Sequence, residues 1–136
     1  MRKPAALAAL LLALAASPAA AEDFYYHQVF NMGGRGQLSI VDFHYTTQGQ
    51  CEEAVGTMRR LMLAKNPTWQ QTSGACSRKL SALYLALMDN RRVNVPYFSF
   101  RDMRQWVDGV NPTAALKFCT TTAAESRFKG QGQCIH

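Results

Sequence analysis

The stretch from Thr46 to Cys76 constrains the fold most strongly, because it encloses a helix-length segment between two cysteines, Cys51 and Cys76. Apolar side chains in it recur at three- and four-residue spacing, which predicts one buried helical stripe. The members of this stripe are Ala54, Val55, Met58, Leu61 and Met62. Asn66-Pro67 predicts the end of the helix, and the loosely alternating residues 69–75 predict a strand that returns Cys76 to the helix start. We therefore expect a helix joined to a neighbouring strand by a disulfide.

The chain contains four cysteines and no Cys-x-x-Cys pair. An even number of cysteines in an exported chain predicts two disulfides, whereas a zinc clamp or a thioredoxin-like centre needs closely spaced cysteines. Three pairings are compatible with the sequence. We favour Cys51 with Cys76 and Cys119 with Cys134, because each closes a short loop, and loops of this size predict about 3 kcal/mol of stabilisation each.

The first 21 residues have the layout of a secretory signal peptide. Arg2 and Lys3 are followed by an apolar run from Ala5 to Ala16, which is too short to span a bilayer. Ala19 and Ala21 satisfy the small-x-small cleavage pattern. We therefore predict cleavage after Ala21 and a periplasmic or secreted protein.

Residues 22–136 are enough for a single domain. Loss of Arg2 and Lys3 leaves 13 basic residues (15 minus 2) against 9 acidic ones, so the net charge falls from +6 to +4. A mild positive excess of this kind favours acidic partners.

Two aromatic and β-branched segments flank Gly33-Gly34-Arg35-Gly36 and predict an N-terminal hairpin. The second of these strands, residues 38–45, changes the parity of its apolar positions along its length. A bulge between Ile40 and Asp42 would cause this change, and so would burial of the strand on both faces.

The C-terminal half is expected to add helices. Leu80 to Met88 has helical spacing, Val93 to Phe100 looks extended with Pro96 indicating an edge strand, and short helices are predicted over Asp102 to Val110 and Thr113 to Phe118. The predicted fold is α+β, with a small antiparallel sheet made of the hairpin and a third strand. One or more amphipathic helices pack against this sheet, and two disulfides hold it.

The strongest binding signal is the mixture of arginines and aromatic residues between Arg91 and Trp106. Such mixtures form binding faces for proteins, sugars and nucleic acids. The predicted binding residues are Arg91, Arg92, Tyr97, Arg101, Arg104 and Trp106. The expected partner is an acidic protein or an anionic envelope polymer, and nucleic acid is disfavoured. An edge strand with buried aromatics and solvated arginines is the alternative interpretation.

Catalytic signals are weaker. His27 and His44 lie on the two hairpin strands and could serve a phosphodiester-cleaving hydrolase, but the expected register separates them by several residues. Metal binding by these histidines and Asp42 has no recognisable ligand spacing. No nucleophile elbow, phosphate-binding loop or cofactor motif is present in the sequence. The leading hypothesis is therefore a non-enzymatic binding protein of the inhibitor or immunity type, or one that binds an envelope polymer.

Overall fold

The computed structural model describes residues 23–136; the predicted signal peptide lies outside these residues. The described chain contains six strands and three α-helices. The strands are β1 (Phe24–Asn31), β2 (Gln37–Tyr45), β3 (Gln70–Ser77), β4 (Tyr97–Phe100), β5 (Met103–Asp108) and β6 (Gln133–Ile135). The helices are α1 (Gln48–Lys65), α2 (Ala82–Met88) and α3 (Pro112–Ala123), and short 3-10 turns occupy Gly33–Arg35 and Ser126–Phe128.

The six strands form one antiparallel sheet in the order β3-β1-β2-β5-β4-β6. The predicted α+β class, the hairpin and the third strand are confirmed. The sheet is larger than expected, because the C-terminal half contributes β4, β5 and β6 beside the hairpin. β1 pairs with β2 and β4 pairs with β5 through short turns, and β5 joins these two hairpins by pairing with β2.

The two central strands, β2 and β5, are buried on both faces, and this produces the change in parity of the apolar positions along β2. On one face α1 and α3 cover a cluster of Tyr26, Phe30, Leu38, Ile40, Cys51 and Val107. On the other face α2 covers a cluster of Tyr25, Val41, Phe43, Leu87, Tyr97 and Trp106. Successive residues of a strand point to opposite faces, so a strand between two helical layers is apolar at both parities.

A bulge does occur in β2, but further along than predicted. Tyr26 pairs with Asp42 and Phe24 pairs with Tyr45, so one residue of β1 faces two residues of β2. The extra residue comes from Phe43 and His44, not from Ile40 to Asp42, and His44 has a positive φ of 71°. The bulge turns the end of β2 just before α1 begins.

Two local predictions in the C-terminal half were wrong. The segment from Asp102 to Val110 contains β5 instead of a helix, because the pairing of Met103–Asp108 with β2 outweighs its local preference. The strand after Pro96 is not at an edge, since β4 lies between β5 and β6, and Pro96 precedes the ladder without interrupting it. The sheet edges are β3 and β6.

Both favoured disulfides are present. Cys51 at the start of α1 bonds Cys76 in β3, and Cys119 of α3 bonds Cys134 in β6. Each bond fastens a helix to a strand at one edge of the sheet. The predicted stripe of α1 faces the sheet except at Leu61, which is 56% exposed.

The helix boundaries follow ordinary capping chemistry. The Thr47 hydroxyl accepts a hydrogen bond from the Gln50 amide at 3.1 Å and caps α1. Asn111 caps α3 in the same way, with Pro112 at the first helical position.

Candidate binding site

Several charged loops of the described chain lie at one end of the sheet. The start of β1, the end of β2 and the end of β3 meet there, because Phe24 pairs with Tyr45 and Tyr25 pairs with Ser77. The turn between β4 and β5 joins them through a hydrogen bond from the Phe43 amide to the Asp102 carbonyl at 3.1 Å. We call this end of the sheet, together with the loop that follows α2, the cationic end.

Arg104 organises the cationic end from inside the protein. It is 4% exposed and lies beneath α2, with its guanidinium 5.8 Å from the centre of the Phe43 ring. Its nitrogens donate hydrogen bonds to the carbonyls of Leu87 at 2.8 Å, Arg101 at 2.6 Å and Met103 at 2.9 Å. One side chain therefore joins the C-terminal end of α2 to the β4–β5 turn.

Burial of Arg104 has a direct electrostatic consequence. Desolvation lowers its pKa from the ordinary arginine value, and Tyr97, Asp102 and Asp42 partly offset this effect. Within residues 23–136 the salt bridges do not include Arg104, so its charge is balanced chiefly by backbone carbonyl dipoles. A guanidinium suits this position because its donors point in several fixed directions.

The exposed cations of this end come from three separate segments. They are Arg78 and Lys79 after β3, Arg91 and Arg92 after α2, and Arg101 in the β4–β5 turn. Arg78 lies 4.2 Å from the centre of the Phe24 ring, and the Lys79 carbonyl accepts a hydrogen bond from the Tyr25 hydroxyl at 2.6 Å. These contacts hold the segment after β3 against the start of β1.

Acidic side chains are interspersed with these cations. Asp89 lies 3.7 Å from Arg91, and His44 lies 3.3 Å from Asp23 and 3.9 Å from Asp102. All of these groups are substantially exposed, so each pair contributes little to stability. The cationic end is therefore a mixed pattern of charges with a positive excess.

Three residues at this end adopt a left-handed backbone without being glycine. They are His44 (φ 71°), Asn90 (φ 54°) and Arg101 (φ 52°). The Asn90 side chain accepts a hydrogen bond from the Ser99 hydroxyl at 2.7 Å, which fixes the loop that carries Arg91. Non-glycine residues in this region cost free energy and persist only where surrounding contacts enforce them. The loops that carry the cations are thus held in defined shapes.

The predicted binding surface is corrected at Tyr97, Arg104 and Trp106, which are 0%, 4% and 6% exposed. The Tyr97 hydroxyl donates to the Arg91 carbonyl at 2.6 Å, and the Trp106 indole donates to Asp108 at 2.9 Å. A strand covered on both faces buries its residues at both parities.

Arg91, Arg92 and Arg101 are the predicted binding residues that reach solvent. The aromatic rings of Tyr97, Phe98 and Trp106 are buried beneath these loops and cannot contact a partner directly. Phe100 is half-buried, with the Arg101 guanidinium 5.0 Å from its ring centre. The sequence could not separate the buried Arg104 of this segment from its exposed arginines.

The two histidines lie in different environments. His27 pairs with Val41 and contacts Tyr84, whose hydroxyl lies 2.8 Å from its Nδ1 atom. Burial lowers the pKa of His27, and the charge of Asp108 opposes this shift. His44 is exposed and contacts only carboxylates among its polar partners. Among the described residues, the two rings share no hydrogen-bond partner.

A cavity lies beside the cationic end, between the end of β2 and α1. Asp42 lines it and accepts a hydrogen bond from the Tyr45 hydroxyl at 2.8 Å. Burial raises the pKa of Asp42 above its ordinary value, and the bond from Tyr45 partly offsets this shift. Sequence reasoning considered Asp42 only as a metal ligand, since nothing in the pattern indicated that the bulge would place Tyr45 beside it.

Among residues 23–136, no cluster of three or more histidine, cysteine or acidic side chains could hold a metal ion. In the same part of the chain, the helices are too short or too polar to cross a bilayer. Compared with protein-family models, curated proteins and solved structures, the chain has no significant match.

Proposed function

We propose that this chain is a non-enzymatic binding protein that acts in the periplasm or outside the cell. Two disulfides in a domain of this size are typical of exported proteins. Its partner is an acidic protein, and the interaction is of the inhibitor or immunity type.

The proposal is carried by one observation. Exposed cations from three separate segments meet at one end of the sheet, where buried Arg104 fixes the position of two of these segments. A rigid, mixed array of charges gives specificity and a fast association rate through electrostatic complementarity.

The interspersed acids favour a folded protein over a uniform polyanion. Asp23, Asp89 and Asp102 lie among the arginines and would repel a polymer that presents negative charge everywhere. A folded acidic partner can place its own cations opposite these carboxylates. An anionic envelope polymer such as lipopolysaccharide is therefore the alternative outcome of the test below.

The test is capture of partners from an envelope extract by the immobilised, oxidised protein, followed by quantitative mass spectrometry. The variant Arg91→Gln/Arg92→Gln/Arg101→Gln removes three charges from the cationic end. The matched control Arg59→Gln/Arg60→Gln/Lys65→Gln removes three exposed charges from α1. We expect an acidic protein to be enriched by the wild type and by the control, and to be lost with the first variant.

Two results would contradict the proposal. Equal capture by both variants would place the binding surface elsewhere. Purified lipopolysaccharide that binds the wild type and displaces the captured proteins would make the envelope polymer the ligand. A rise in salt should weaken the specific capture, since exposed charges are screened over about 8 Å at physiological ionic strength.

A further inference from the structure

The cavity between the end of β2 and α1 is a groove largely open to solvent, with a volume of about 530 Å³. This size is within the range of small-ligand sites, roughly 300–1,000 Å³. Its lining includes Tyr26, Asp42 and Tyr45 from the sheet and Glu53 from α1. Tyr26 is almost completely buried, and its ring centre lies 5.8 Å from that of Tyr45.

Asp42 is a half-buried carboxylate without a cationic partner. The salt bridges found in residues 23–136 do not include it, and its side-chain hydrogen bond there is the one from Tyr45. The nearest buried cation, Arg104, lies on the opposite face of the sheet, where it contacts Phe43 and α2. A partly buried carboxylate left without a cation costs free energy.

The Asp42 carboxylate has free hydrogen-bond acceptor positions. An ionised carboxylate has about four acceptor positions, and the Tyr45 hydroxyl occupies one of them. An ammonium group has three donors on a compact centre, so it can bond Asp42 and neighbouring oxygens together. Glu53 adds a second negative charge at the same cavity.

The side of the cavity formed by α1 contains apolar side chains beside the polar ones of Gln50, Glu53 and Thr57. Ala54, Met58 and Leu61 line the cavity, and Leu61 is 56% exposed although it belongs to the apolar stripe of the helix. This wall can cover an alkyl chain, with about 0.8 kcal/mol gained per buried methylene group. Asp42 and Glu53 are the two carboxylates that line the cavity, and within residues 23–136 no group of three or more histidine, cysteine or acidic side chains could hold a metal ion.

We propose that this cavity binds a primary ammonium group carried on a short aliphatic chain. The ammonium bonds the Asp42 carboxylate and is attracted by Glu53, and the aliphatic chain lies against Met58 and Leu61. The ammonium belongs either to a free alkyl amine or to a lysine side chain of a partner. This inference does not rest on the proposed function, because it concerns the binding of a cation through Asp42 and Glu53.

The test is titration of the full, oxidised protein with cadaverine by calorimetry, with pentanediol as the uncharged control. We expect saturable binding of cadaverine and none of pentanediol. Asp42→Asn preserves the shape and an acceptor for Tyr45 but removes the charge, and it should weaken binding about tenfold or more. Thermal unfolding of the variant checks that it is folded.

Glu53→Gln keeps the test decisive if the Asp42 variant does not fold, since Glu53 is exposed on α1. It should weaken cadaverine binding about threefold, because a more solvated charge contributes less. The matched control Glu52→Gln, at a neighbouring exposed position that does not line the cavity, should bind like the wild type.

The source of the ammonium is distinguished by comparing cadaverine with a lysine whose backbone ends are both blocked. Tighter binding of cadaverine supports a free amine, and tighter binding of the blocked lysine supports a partner side chain. The proposal is overturned if neither amine binds, if pentanediol binds as well as cadaverine, or if the Asp42 and Glu53 variants both retain wild-type affinity.

Discussion

Replacement of Arg104 by methionine tests whether this buried side chain holds the cationic end together. Methionine keeps a flexible apolar stem and removes the guanidinium. The carbonyls of Leu87, Arg101 and Met103 then lose donors at 2.8, 2.6 and 2.9 Å. We expect the C-terminal end of α2 and the β4–β5 turn to separate locally.

The size of the effect follows from these three bonds. A hydrogen bond that involves a charged group contributes about 1.5–3 kcal/mol, so the gross loss for three bonds is about 4.5–9 kcal/mol. Relief of the desolvation of a buried charge offsets several kcal/mol of this loss. We therefore expect the free energy of unfolding to fall by about 3 kcal/mol, within the range for disruption of a buried polar network.

The assay is urea unfolding of the oxidised protein followed by tryptophan fluorescence, since Trp106 lies in the hydrophobic cluster covered by α2. The control Arg101→Met removes an exposed guanidinium and should change the free energy of unfolding by less than about 0.5 kcal/mol. A loss below about 1 kcal/mol for the Arg104 variant, or an equal loss for both variants, would refute a central structural role for Arg104.

Three further predictions concern stability. Asp42→Asn should raise the free energy of unfolding at neutral pH, because burial raises the pKa of this carboxyl in the folded state and its ionisation therefore opposes folding. This gain in stability should vanish in urea unfolding as pH falls through the raised pKa towards 3.8. Burial lowers the pKa of His27 from 6.5, so the neutral ring adds its full stability above pH 6.5, and this stability is lost as pH falls towards the lowered pKa. The melting temperature of His27→Gln should lack this part of the pH dependence. Loss of the Cys119–Cys134 bond by serine replacement should cost about 3 kcal/mol in urea unfolding for a sequence separation of 15, and an unchanged midpoint would contradict the chain-entropy argument.

The N-terminal half of the fold was predictable from the sequence because its signals are local. The hairpin follows from two strand-like segments around a glycine-rich turn, and α1 follows from its apolar spacing and the Asn66-Pro67 end. The pairing of Cys51 with Cys76 also follows from a short loop. These features depend on residues close together in the chain, where propensity and periodicity are informative.

The C-terminal half was less predictable because its structure depends on distant partners. Residues 103–108 become a strand through pairing with β2, more than sixty residues earlier in the chain at Gln37–Asp42. The burial of Tyr97 and Arg104 depends on α2, which covers a face of the sheet that local patterns do not indicate. Long-range pairing overrides local preference in such segments.

The cavity beside α1 was missed for a similar reason. Its key contact between Asp42 and Tyr45 joins residues three apart in the chain, which in a regular strand would point to opposite faces. The bulge at Phe43 and His44 brings both side chains to the same face. The change of parity in β2 was the available signal, but double burial explains most of that change.

The central claim is that the exposed arginines of the cationic end contact an acidic protein. Arginine-directed chemical footprinting of the wild-type protein, with and without its captured partner, tests it most directly. We expect Arg91, Arg92 and Arg101 to lose reactivity in the complex, while Arg59 and Arg60 on α1 remain as reactive as in the free protein. Protection of the α1 arginines with unchanged reactivity at the cationic end would contradict the claim.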